Sequence, residues 1–179
     1  MKKLILLAVL LCLNLQVQAN EYTDDVRIIS ALEVLQEAGA TDVFERLDES
    51  DAKIIFYDLS LMSYSYAKDY AITSTDEYGD NYILINERYR NAPKEAIACL
   101  IAHESVHMLP KADFNEEVRA FKKEAETWDN ISWRCLNLTN LDENTSRLIK
   151  RLNSLKKIYK IDGAIEETIR DNSFYNNRL

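Results

Sequence analysis

Histidine is nearly absent from this chain, with two residues in 179, so any site built on three imidazoles is excluded. Glycine and proline are almost as scarce, at three and two residues. That excludes a collagen-like or low-complexity chain and, beside abundant Leu, Ile, Ala, Glu and Lys, points to a helix-rich globular domain. No apolar run is long enough to span a bilayer comfortably: the best, Leu4 to Leu15, is short and broken by Asn14. Positive charge is in deficit, 22 basic against 30 acidic residues, which argues against non-specific binding to nucleic acid or to anionic lipid.

The N-terminus has the make-up of a secretory leader. Lys2 and Lys3 precede the apolar run, and Val17-Gln18-Ala19 resembles a cleavage site for a small-residue signal. The expectation is a leader over 1–19 and a single domain over 20–179, exported to a periplasm or secreted, with no membrane contact after cleavage. An uncleaved N-terminal anchor is the alternative. Cleavage would leave two cysteines, Cys99 and Cys135, as one bridge or two thiols; spacing alone does not decide.

Hydrophobic spacing predicts a helix over Asp24–Ala38, stopped by Gly39, and a short one over Val43–Leu47. Three β-branched and aromatic stretches, Lys53–Leu59, Tyr70–Thr75 and Tyr82–Arg88, read as a small antiparallel sheet ending in a hairpin. From Lys94 to Met108 the chain is apolar on most faces, the mark of a buried central helix, with Pro93 in its first turn and Pro110 at its end. Asp113-Phe114-Asn115-Glu116 resembles a capping box opening another helix, whose inward stripe is Val118, Phe121, Ala125, Trp128, Ser132 and Cys135. Leu148, Leu152, Leu155 and Tyr159 mark one more long helix; Asp162-Gly163 breaks it before a last short one. Trp128 and Trp133 are expected as core anchors. The fold class is α+β.

Both histidines fall in one pentapeptide, His103-Glu104-Ser105-Val106-His107, on the predicted buried helix. Residues four apart share a helix face, so both imidazoles can reach one metal ion, and neutral imidazole suits zinc. Glu104 is turned about a quarter revolution away; it can reach a water on the ion and accept its proton. A third ligand must be a carboxylate. Glu117, beside Val118 on the next helix, is the best placed; Glu116, expected to be exposed at the third position of the capping box, and Glu124, two turns further along, compete with it.

His-Glu-x-x-His followed by Glu117-Val118-Arg119-Ala120 resembles the gluzincin group of zinc peptidases, its minimal members above all, over Tyr82 to about Trp128. The resemblance implies a zincin-like fold, Zn2+ on His103, His107 and Glu117, Glu104 as general base, and hydrolysis of peptide or protein substrates. It also implies that the strand 82–86 is the sheet edge over the site, where an extended peptide adds as a further strand. The chain departs from the group in having no later histidine to stabilise an oxyanion. Tyr64, Tyr66 and Tyr159 are candidates for that task. The alternative function is a zincin-fold protein that holds metal or a partner without cutting.

Overall fold

The computed structural model describes residues 21–108, 113–135 and 138–171; the leader assigned to 1–19, and Pro110, lie outside them. Asp25 caps helix α1 (Val26–Glu37) by accepting the Arg27 amide at 2.9 Å. Ile28, Ala31, Leu32, Val34 and Leu35 turn inward, while Val26 faces solvent. Gly39, at φ +73°, reverses the chain into α2 (Thr41–Ser50).

The sheet differs from the expected antiparallel one. Strands β1 (Lys53–Tyr57), β2 (Ala71–Thr75) and β3 (Asn81–Asn86) lie in the order β1-β3-β2. β3 pairs antiparallel with β2 through the expected hairpin and parallel with β1, Ile54 beside Ile83 and Phe56 beside Ile85. The arrangement follows burial: Ile83, Leu84, Ile85 and Asn86 make β3 the most buried strand, and it takes the centre. The strand 82–86 is therefore paired on both sides and is not the sheet edge; β1 and β2 are the edges.

Helix α3 (Lys94–Val106) is the hub. Every residue from Glu95 to Val106 is buried, because β2, β3, α1, α2, α4 (Phe114–Ile131) and α5 (Glu143–Ile158) all pack on it. Asp113 caps α4 by accepting the Glu116 amide at 2.7 Å. The inward stripe holds from Val118 to Trp128, but the helix stops at Ile131, so Ser132 and Cys135 fall outside it. Trp133 is 70% exposed and anchors nothing, contrary to expectation. Asp142 caps α5, and Gly163, at φ +75°, turns the chain into α6 (Ala164–Asp171), whose Ile165 and Ile169 pack on Val118, Phe121 and Leu155. Among the described residues the architecture is thus α+β, six helices and a three-stranded mixed sheet, and no helix is long and apolar enough to cross a membrane.

Cys99 and Cys135 are separate thiols. Burial pushes the Cys99 thiol well up, and burial beside Glu95 pushes Cys135 up to about 11. Neither is a ready thiolate. Trp128, fully buried with its indole N–H donated to Asn153 at 2.9 Å, ties α4 to α5. Trp128→Ala is expected to destabilise the fold by about 3–5 kcal/mol through the cavity it leaves, read as a lowered midpoint in urea unfolding.

Candidate metal centre

The site forms where the end of α3 meets the start of α4. His103 lies in the last turn of α3 and His107 is its C-cap; Glu117 lies in the first turn of α4. One ligand atom from each of His103, His107 and Glu117 falls within 4.8 Å of the others. The separations are more telling. His103 Nε2 and His107 Nε2 are 3.4 Å apart, and Glu117 Oε2 is 3.3 Å from His107 Nε2. A tetrahedral zinc with bonds of about 2.05 Å has donor atoms about 3.4 Å apart along each edge. Both separations fit such an edge.

The remaining ring nitrogens are occupied. His103 Nδ1 faces Glu124 Oε2 at 3.0 Å, and His107 Nδ1 faces Glu116 Oε1 at 2.7 Å. A carboxylate accepts there, so each ring can donate from Nδ1 and leave Nε2 facing the shared point, the usual outer arrangement around a metal-bound imidazole. The three glutamates considered for one place thus take three: Glu117 lies with the two Nε2 atoms, and Glu116 and Glu124 meet the far nitrogens of the rings. The expected exposure of Glu116 is wrong. It is buried against His107, with Oε2 unpaired, because its position in the first turn of α4 faces the end of α3 rather than solvent.

Glu104 is buried beside this cluster. The Thr73 hydroxyl of β2 lies 3.0 Å from Glu104 Oε2 and 3.2 Å from its backbone oxygen. Burial lifts the Glu104 carboxyl above its ordinary value, against the pull of both imidazoles and Thr73. Burial also opposes charge on Glu117 and Glu124. On Glu117 the His107 hydrogen bond and the nearby imidazoles outweigh it, and on Glu124 the Arg151 guanidinium and His103 do, so both stay below the usual range.

Sequence reasoning did not find Thr73 or Arg151. Arg151 does carry a signal, a charge beside Leu148 and Leu152 on the buried face of α5. Of the tyrosines considered for an oxyanion, Tyr64 is 88% exposed. Tyr159 donates to Asp129 at 2.7 Å; Asp129 is twelve residues along α4 from Glu117, about 18 Å at the helical rise. That corrects Tyr159 as an oxyanion donor.

The carboxylates of the cluster favour a proton on His107. Burial opposes charge on His107, but its hydrogen bond to Glu117, the charge of Glu104 and its bond to Glu116 raise it from 6.5 to about 9. Folded His107 thus binds its proton more tightly than unfolded. Its contribution is complete below about pH 6.5 and is lost as pH rises through about 9. Urea unfolding of the chelator-treated protein is expected to show about 1–3 kcal/mol less stability near pH 9 than near pH 6; a profile that is flat or rises over that window contradicts this.

No protein-family model, curated protein or solved structure matches the chain, so the meaning of the site rests on its own geometry and on the motif.

Proposed function

We propose that the chain is a zinc-dependent metallopeptidase of zincin-like, gluzincin type that hydrolyses peptide bonds. The observation that carries the reading is the donor set: His107 Nε2 at tetrahedral-edge separations from both His103 Nε2 and Glu117 Oε2, with each imidazole met from behind by a carboxylate. His103, His107 and Glu117 hold the ion. A bound zinc supplies Lewis acidity, lowering the pKa of a coordinated water and polarising a carbonyl.

Glu104 supplies the base. Its side chain leaves the helix one residue past His103, beside the donors but not among them. Its raised proton affinity suits a group that takes a proton from water and delivers it to a leaving amine. Thr73 restrains the carboxylate from β2. That contact also names the strand over the site: β2 is an edge strand next to the base, and an extended substrate peptide would add along it rather than along 82–86.

Zinc analysis of the purified full chain, with cleavage of a mixed peptide library, tests the reading. About one zinc per chain is expected, with cleavage abolished by a chelator and restored by zinc. Zinc without cleavage leaves a metal- or partner-holding protein, and no zinc removes the metal reading.

A further inference from the structure

One charged contact reaches the metal cluster from a helix that carries no motif residue. Arg151 of α5 meets both oxygens of Glu124, Nη1 on Oε1 and Nη2 on Oε2, the latter at 2.7 Å. Its guanidinium is packed against two rings, 4.6 Å from the Tyr70 centroid and 5.0 Å from that of Phe121. Phe121 meets the His103 ring edge-on at 5.1 Å. Glu124, with no exposure at all, gives the same Oε2 to Arg151 and to His103 Nδ1.

A fork of two parallel hydrogen bonds fixes the plane of a carboxylate as well as its place. A buried ion pair is a poor means of adding stability, since apolar residues of like volume serve as well. What it does supply is orientation, and here the oriented oxygen is the one that meets a donor imidazole. We propose that Arg151 is a positioning residue for the metal centre: through Glu124 it holds the His103 ring with Nδ1 donating and Nε2 turned to the point shared with His107 and Glu117. The aromatic contacts keep the guanidinium from swinging away, and Phe121 closes the other side of the ring. This inference rests on the metal reading of the cluster and extends it to α5.

The test compares the full chain with Arg151→Lys, Arg151→Met and the double variant Glu124→Gln/Arg151→Met. Zinc affinity is measured by competition with a chromophoric chelator, and the visible absorption of each Co2+-loaded form is recorded. Arg151→Met is expected to bind zinc about 10–100-fold more weakly at unchanged stoichiometry, with displaced Co2+ bands. Arg151→Lys is expected to fall between, because it supplies charge without the fork. The double variant leaves no buried charge unpaired and so tests the point even where Arg151→Met fails to fold; weak zinc binding is expected there too. Wild-type affinity and wild-type Co2+ bands in the double variant overturn the role of Arg151 and leave the metal reading standing. A wild type that takes up neither zinc nor Co2+ overturns both.

Discussion

Glu117→Ala is expected to lose stoichiometric zinc, whereas Glu116→Ala keeps it at reduced affinity. The two residues are neighbours in sequence and both are acidic, yet they meet opposite sides of the His107 ring. Glu117 presents Oε2 3.3 Å from His107 Nε2, on the donor side of the ring; Glu116 presents Oε1 2.7 Å from Nδ1, on the far side. Removing an outer partner weakens metal binding by about 10–100-fold. Removing one of three protein donors leaves too few to hold a catalytic ion, and the loss should exceed that range. Metal content after dialysis against a weak chelator separates the two variants. Retention of one zinc per chain by Glu117→Ala, with loss by Glu116→Ala, would exchange their roles.

Glu104→Gln is expected to leave zinc bound and to lower kcat by about 10²–10⁴-fold, the usual contribution of a positioned general base. Glutamine keeps the shape of the side chain and an oxygen for the Thr73 hydroxyl, so the fold and the donor set should survive. What it lacks is a site for the proton of the attacking water. Zinc content and unfolding midpoint near wild type, with turnover close to background, is the expected pattern. Undiminished turnover would remove Glu104 as the base and, with it, the main mechanistic assignment.

Much of this was legible in the residues because helices announce themselves locally. The apolar run from Ala96 to Val106 has no face to give to solvent, and the structure buries all of it. The spacing of Val118, Phe121 and Ala125 set Glu117 near an inward face, and the chain places it at the cluster. Pairings between distant elements were not legible. The sheet was expected to be wholly antiparallel because strand propensity says nothing about which strand takes the centre; burial of Ile83, Leu84 and Ile85 decided it. Thr73 and Glu104 are 31 residues apart, and Arg151 and Glu124 are 27. No periodicity joins such pairs: threonine at 73 is unremarkable without the packing, and the charge of Arg151 beside Leu148 and Leu152 marks the residue but not its partner. Glu116 was misjudged for a related reason: its helical position was read correctly, but the element facing it was not.

The meeting of α3 and α4 has one more consequence. His107 is the C-cap of α3, where aligned peptide groups leave about half a negative charge, and Glu117 lies in the first turn of α4, where they leave about half a positive one. The backbone therefore favours positive charge at the imidazole and negative charge at the carboxylate before any side-chain partner is counted. The carbonyl end of α3 attracts a cation placed between them, while the amide end of α4, which itself opposes a cation, keeps Glu117 ionised to receive one; both effects come from peptide groups that no side-chain substitution removes.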